Sequence, residues 1–302
     1  MSAQLQPVPD PQEPVTPASP KQSSLWLDAL SRILKSKTSM VGLFIILVLI
    51  IVAIFAPLIA THDPIDGQDI LNRYQKPSAE HYLGTDELGR DIFSRIVYGT
   101  RISIQIGLIA VGISMIIGVI LGGVAGYFGR WIDMIIMRFV DILMAFPSIL
   151  LAIAMVTILG KGLTNAMIAI GIVGVPHFAR IVRSTVISIK ETEYIESARA
   201  IGAKSHRILF RHVLPNCMAP IIVQATLSIG TAILDAAGLS FLGLGAQPPI
   251  PEWGAMLVDA RSALQYAPWV VTFPGIAIFL FVLGFNLFGD GLRDALDPRL
   301  KQ

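Results

Sequence analysis

Residues that could carry chemistry are few in this chain, and they are far apart. His62, His81, His177, His206 and His212 are scattered along the 302 residues, and none stands at a metal-like spacing from acidic or sulfur partners. Cys217 is the single cysteine, so it cannot close an internal disulfide, and packing is its expected role. No His-Glu-x-x-His, nucleophile elbow or clustered acid pair is present. Gly160-Lys161-Gly162 offers a lysine of the phosphate-loop kind. The glycine needed five positions before Gly160 is Met155, however, and no Gly-x-x-x-x-Gly-Lys-Ser/Thr pattern occurs anywhere. The expectation is therefore no catalytic, cofactor or metal residue.

Two features remain. Asp235 is an ionisable residue inside an apolar run. In a membrane such residues mark pathways and relays, so Asp235 is a candidate for a gate or pathway. The alternative places it near the outer end of a helix, hydrogen-bonded to neighbours or water. The second feature is a charged stretch, Lys190 to Pro215, set between greasy ones. It reads as two short helices joined at a glycine. Thr192 can cap the first, and Glu193 and Glu196 sit at its positive dipole end. Tyr194, Ile195, Ala198 and Ile201 recur at helical spacing and predict one apolar stripe. Gly202 suits the left-handed residue that ends a helix. Ser205 can cap the second helix, which Pro215 then closes. The product is an amphipathic knob kept out of the lipid by its charges; the bland alternative is a solvated loop.

These features need elements to hold them. The chain is 54% hydrophobic and only 15% charged, outside the usual soluble range. Its net charge of +2 gives no bulk attraction to nucleic acid. Residues 1–24 are proline-rich with few large apolar groups, which predicts a disordered tail with room for a Pro-rich docking motif. Leu25 to Lys37 predicts a short amphipathic helix at the membrane surface, with Trp26, Leu30, Ile33 and Leu34 apolar. Met40 to Ala60 holds 21 residues without a charge, enough to cross about 30 Å of hydrocarbon.

Residues 61–100 form a polar connection. Within it, Ile92, Phe93, Ile96 and Val97 oppose Asp91, Ser94 and Arg95, which predicts an interfacial helix. A second span is expected at Ile102 to Tyr127, where Gly118, Gly122 and Gly126 recur every four residues. That spacing lets helices approach closely, within this bundle in preference to a dimer seam. A third span runs from Phe139 to Leu159, kinked at Pro147, with Asp141 paired to Arg138. A fourth, Leu163 to Ala179, is short and interrupted by Pro176. The fifth lies within Met218 to Gly245. The sixth, Trp269 to Gly289, is broken at Pro274. Ala246 to Pro268 reads as an outer loop.

Six spans put both termini and the charged stretch on one side. Sixteen of the 23 Lys and Arg residues then fall on that side, which the positive-inside rule makes cytoplasmic.

Glu196-Ser197-Ala198, Gly202 and Leu214-Pro215 resemble the EAA signature of permease subunits in binding-protein-dependent ABC importers. Ser197 and His212 depart from that pattern, without removing the helix-glycine-helix shape. Gly84-Thr85-Asp86, Gly89-Arg90-Asp91, Gln247-Pro248-Pro249, Pro251-Glu252-Trp253-Gly254 and the tail from Asp290 to Pro298 are similar to the dipeptide, oligopeptide and nickel branch. The resemblance implies an all-α membrane protein with the type I ABC importer permease fold. Its parts would be the tail (1–24), an entry segment (25–100), a five-helix permease core (101–289) with coupling helices at 191–215, and a cytoplasmic C-terminal tail (290–302). It implies a transport subunit of the bacterial inner membrane and not an enzyme.

The implied partners are a second homologous permease, two cytoplasmic ATPases holding the ATP and Mg, an extracytoplasmic solute-binding protein and membrane lipid, with no nucleic acid. Glu196, Ser197, Ala198, Gly202, Leu214 and Pro215 would couple to the ATPase. The implied solute is a di- or oligopeptide, with glutathione or a nickel complex as alternatives. An ion-coupled secondary transporter is the competing class. It normally shows internal repeats and several midplane charges, which this sequence lacks.

Overall fold

The computed structural model describes residues 25–296; the predicted N-terminal tail and residues 297–302 lie outside them. Twelve α-helices carry the described chain. They are α1 (Leu25–Lys35), α2 (Lys37–Ile54), α3 (Ala56–Ile59), α4 (Ile92–Phe128), α5 (Arg130–Met144) and α6 (Ser148–Leu159). After these come α7 (Leu163–Lys190), α8 (Glu193–Ala200), α9 (Ser205–Ile208), α10 (Met218–Phe241), α11 (Trp253–Asp259) and α12 (Trp269–Leu296). No strand occurs among the described residues.

Five stretches are long and apolar enough to cross a bilayer: α2, α4, α7, the run from Ser205 to Phe241, and α12. The pair α5 and α6 makes a sixth only as a broken span, bent by 92° at residues 145–147. The expected kink at Pro147 is thus a right-angle corner. Proline fixes its own backbone and disfavours helix in the residue before it, so the chain restarts instead of bending.

Close contacts at glycines set the direction of each helix. A side chain on Gly118 would strike Phe178, one on Gly122 would strike Ala179, and one on Gly126 would meet Arg183 and Val186. Both series of numbers rise together, so α4 and α7 run parallel, backbone against backbone. The glycine stripe therefore packs inside its own bundle. Ser39 lies against Gly291 and Gly42 against Gly284 and Phe288, so α2 and α12 run antiparallel. Gly289 meets Leu227 while Gly230 faces Val282, so α10 and α12 are antiparallel too. Hence the N-terminus of α2 and the C-termini of α4, α7 and α12 share one end. The segment 61–91 and α11 share the other.

Several expected boundaries are corrected. The interfacial helix and the second span are one 37-residue helix, α4. Its first turns do not lie on the membrane surface with their polar face wet. Asp91, Ser94 and Arg95 are each at most 2% exposed, turned inward against the segment 61–64. Arg95 donates to the Pro64 carbonyl at 2.9 Å, and Ser94 Oγ accepts from the backbone N–H of Thr61 and His62. Arg90 donates to Asp86 at 2.7 Å and faces Asp259 at 3.7 Å, fastening α11 to this cap. The predicted outer loop thus contains a helix. Glu252 caps it with both oxygens, accepting from Gly254 N and Ala255 N at 2.8 Å. Trp253 donates to the Ile96 carbonyl at 3.1 Å, over the bare face of Gly99.

Pro176 and Pro274 are buried inside α7 and α12, which pass through them unbroken for 28 residues each. Packed neighbours and local adjustment hold such prolines in membrane helices. The fourth span therefore does not stop at Ala179. At about 1.5 Å per residue α7 rises roughly 42 Å, well beyond a hydrocarbon core of about 30 Å. Its last turns form a stalk, and the charged stretch stands on it. The first helix, α1, folds against α12 with Ile33 buried and Leu30 and Leu34 exposed.

Candidate coupling knob and pathway cavity

The knob begins where α7 ends. Thr192 is the N-cap of α8 by backbone conformation, but its hydroxyl does not cap. It donates instead to the Ile189 carbonyl at 2.6 Å, closing the end of the stalk. Glu193 and Glu196 occupy the first turn of α8, where the helix dipole favours them. Ile195 is fully buried in a cluster with Val182, Val186, Ile208, Val213 and Ile221. Burying one such side chain contributes about 2 kcal/mol, so this anchor fixes the knob to the bundle. Ala198 packs on the same cluster.

The predicted four-residue stripe is only half right. Tyr194 is 46% and Ile201 86% exposed. The helix has barely two turns, and residues 194 and 201 fall at its rims, beyond the reach of the cluster. Tyr194 instead accepts a hydrogen bond from the Asn216 side chain at 3.2 Å.

Gly202 ends α8 at φ +82. Ala203 N donates to the Ala198 carbonyl at 3.1 Å and Gly202 N to the Arg199 carbonyl at 2.9 Å. This is the six-to-one and five-to-two pair of the Schellman motif, which needs a left-handed residue at that position. No atom lies within 4 Å of a Cβ placed on Gly202, so the backbone alone demands the glycine. Glu196, Ser197, Ile201 and Gly202 form an exposed tip.

The second half differs from expectation. Lys204, not Ser205, is the N-cap of α9, and no side chain caps it. Pro215 does not close the helix. A wide π turn at Leu209–Val213 and a 3-10 turn at Leu214–Cys217 carry the chain straight into α10. Pro215 sits in the first positions of the 3-10 turn, where a missing N–H costs least. Leu214 packs inward against Gly123, Pro215 is exposed, and Cys217 is buried in the Ile195 cluster. The signature residues thus split between an exposed tip and its inward mountings.

Higher in the bundle, α4, α6, α7 and α10 enclose a cavity of about 340 Å³. Gln224, Ser228, Thr231 and Asp235 line it from one face of α10 at helical spacing, with His177 on α7 opposite. The Gln224 amide donates to Ser228 at 3.0 Å. Ser114 also lines the wall, but its hydroxyl is spent on the Gly171 carbonyl at 2.6 Å. Asp235 makes no ion pair with any described residue and faces this space. Of this lining the sequence points to Asp235 alone, and not to Gln224, Ser228, Thr231 or the facing His177. The i, i+4, i+7, i+11 spacing could have shown the stripe.

Below the cavity, α5 is tied to α7 by two ion pairs. Arg180 meets Asp141 at 2.7 Å, and Arg183 meets Asp133 at 2.5 Å. Asp141 therefore pairs across the bundle and not with Arg138. Helix α5 turns its other face outward, with Trp131, Met134, Ile135 and Phe139 more than half exposed.

Comparison with known proteins assigns the bundle. Residues 118–302 match the family described as "Binding-protein-dependent transport system inner membrane component". The chain belongs to this family. Residues 24–77 match a second family, "N-terminal TM domain of oligopeptide transport permease C". The chain is thus a multi-pass inner-membrane transport component and not an enzyme. It is 58% identical over 293 residues to the dipeptide transport system permease protein DppC of Alkalihalophilus pseudofirmus, covering 97% of this chain and 94% of that one. It is 51% identical to the glutathione transport system permease protein GsiD of Pectobacterium atrosepticum, covering 91% and 92%. The fold is shared with the MetNI methionine ABC transporter in inward-facing conformations, at a TM-score of 0.56 and 21% identity, over 67% of this chain and 96% of that one. The knob and the cavity both fall within or against the stretch that the first family covers.

Proposed function

We propose that this permease carries di- or oligopeptides across the bacterial cytoplasmic membrane by alternating access, powered by ATP hydrolysed on partner chains. Two cytoplasmic ATPases hold the ATP and Mg. A second homologous permease completes the pathway, and an extracytoplasmic binding protein delivers the solute. The knob end, with the N-terminus of α2 and the C-terminus of α12, faces the cytoplasm, and the segment 61–91 with α11 faces outward. Glu196, Ser197, Ala198, Gly202, Leu214 and Pro215 make the ATPase-coupling surface by shape, and Asp235 lines the solute pathway.

One observation carries the coupling. Ile195 is sunk in the bundle, while Ile201, six residues on, stands 86% exposed on a tip whose glycine has no neighbour. Tyr194 and Phe210 are exposed on the same charged stretch, and several apolar side chains bared on an element that its charges keep out of lipid mark a protein interaction surface. The peptide assignment is supported by the 58% identity to a dipeptide permease. Glutathione, itself a small peptide, is the second reading, supported by the 51% relative.

The test is reconstitution of the full transporter in vesicles, with solute-stimulated ATP hydrolysis and labelled peptide uptake as readouts. Gly202→Val should abolish both while the chain stays inserted, because a β-branched residue resists φ +82. Gly202→Asn, which tolerates that conformation, should retain them. Stimulated hydrolysis surviving in Gly202→Val would end the coupling assignment.

A further inference from the structure

The end of the bundle opposite the knob holds a side-chain cluster that transport coupling does not use. His62 follows α3, and His81 lies 19 residues later in the turn before α4. Sequence spacing gives no hint of a site, but folding brings the two rings to 4.6 Å between centroids, tilted by 33°. One ligand atom from each of His62, Glu80 and His81 lies within 4.8 Å of the others. We propose that these three residues bind a borderline divalent transition ion, of which Zn²⁺ is the type.

The hydrogen bonding positions both rings and fixes the proton on His81. Asp91 caps α4, accepting from Ser94 N at 2.8 Å through one oxygen, Oδ2. The Thr61 hydroxyl donates to that same oxygen at 3.4 Å. The other oxygen, Oδ1, faces His81 Nδ1 at 3.0 Å. A carboxylate only accepts, so His81 Nδ1 carries the proton and its Nε2 keeps the lone pair. The Thr61 hydroxyl also meets His62 Nδ1 at 3.0 Å, so that nitrogen of His62 is engaged with the protein. His62 Nε2 makes no hydrogen bond with any described residue and is the nitrogen left for an ion. A buried carboxylate thus sets the tautomer of His81 and, through the Thr61 hydroxyl, helps to hold the ring of His62. Metal-binding histidines are held in this way, their second nitrogen donated to an acceptor that orients the ring.

The cluster also has the right access. His81 is 8% exposed, His62 half-buried and Glu80 exposed, so the site opens to water on the side of Glu80. Two imidazoles and a carboxylate with a fourth position for water match the ligand set zinc takes. Nitrogen ligands disfavour Mg²⁺ and Ca²⁺, which prefer oxygen. A bound ion would brace the exit of α3 to the entry of α4. The backbone N–H groups of Thr61 and His62 are already strapped to Ser94 there.

The test uses the full chain, purified in detergent without a histidine tag, stripped with a chelator and titrated with Zn²⁺ against a chromophoric competitor. Wild type should bind one Zn²⁺ per chain and melt at a higher temperature when loaded. His62→Ala and Glu80→Gln leave the His81–Asp91 contact in place. Each should weaken binding roughly tenfold or more, as loss of a ligand or its support does. His206→Ala with His212→Ala, in the knob, should leave binding unchanged. A one-to-one site that survives both His62→Ala and Glu80→Gln, or moves with the knob histidines, overturns the assignment. So does the absence of saturable binding in wild type, which would leave the two rings as hydrogen-bonded struts.

Discussion

Arg183 grips Asp133 with two parallel hydrogen bonds, Nε to Oδ1 at 2.5 Å and Nη2 to Oδ2 at 2.6 Å, joining α5 to α7 across 50 residues of sequence. The fork is partly buried, so water screens it less than a surface pair. Arg183→Ala should lower stability by about 1–3 kcal/mol, the usual range for hydrogen bonds to charged groups. Arg183→Lys should recover only part, since an ammonium cannot make both bonds at once. Thermal melting in detergent reads this out; an Arg183→Ala chain melting like wild type would show that the pair holds nothing.

The glycine stripe gives a test with an internal control. A methyl on Gly122 would be driven into the Ala179 carbonyl and lie 3.0 Å from Arg183 N, both backbone atoms that cannot yield cheaply. Gly122→Ala should destabilise by about 1–3 kcal/mol through overpacking. Gly112→Ala, on the same helix with nothing within 4 Å, should be neutral or slightly stabilising. Equal melting temperatures for the two variants would contradict the parallel contact of α4 and α7.

Asp235 is expected to meet the free ammonium of a passing peptide. Asp235→Asn keeps size and removes charge. Uptake of a peptide with a free N-terminus should fall roughly tenfold, about 1.4 kcal/mol of lost discrimination. Uptake of the N-acetylated peptide should hardly change. Parallel loss for both peptides would mean that Asp235 shapes the helix and selects nothing.

The outer cap carries a pH dependence with a definite sign. Burial, then the nearby Asp259 and Asp86, raises the Glu87 carboxyl above its ordinary 4.5. Burial raises Asp259 above 3.8 as well. A carboxyl raised by folding binds its proton more tightly folded than unfolded. Its stabilising effect is complete below the unfolded value and is lost as pH rises through the folded one. Melting temperature should therefore fall as pH climbs from about 4.5 through the raised Glu87 value. Glu87→Gln should flatten that part of the profile, and an unchanged slope would sink the attribution.

Much of the architecture could be read from residue order, and the failures share a cause. Apolar run length located the spans, and the spacing of Gly118, Gly122 and Gly126 announced a close helix contact. Proline did not announce its own effect. Pro147 turns a corner of 92°, while Pro176 and Pro274 pass inside continuous helices. What differs is the packing around each, which is not local information. The polar face of Asp91, Ser94 and Arg95 looked solvated because its partners, Thr61 to Pro64, arrive from 30 residues away. In the knob, Gly202 was legible because its left-handed backbone is a local property. The Thr192 hydroxyl, with two acceptable local bonds, chose the one sequence does not rank. The pairing of His62 with His81 depends wholly on loop closure, so nothing in their spacing could reveal it.

The backbone contact between α4 and α7 has a mechanical meaning. Helices separated by flexible side chains can slide past one another and absorb a displacement. Two helices pressed together at Gly118, Gly122 and Gly126, with the glycine faces of one against the backbone of the other, have no such slack. They behave as one stiff lever arm, with the knob at its tip and the walls that hold Ser114 and His177 farther along the shaft. A tilt imposed at the knob reaches those walls undamped, and the fork of Arg183 on Asp133 makes α5 swing with it.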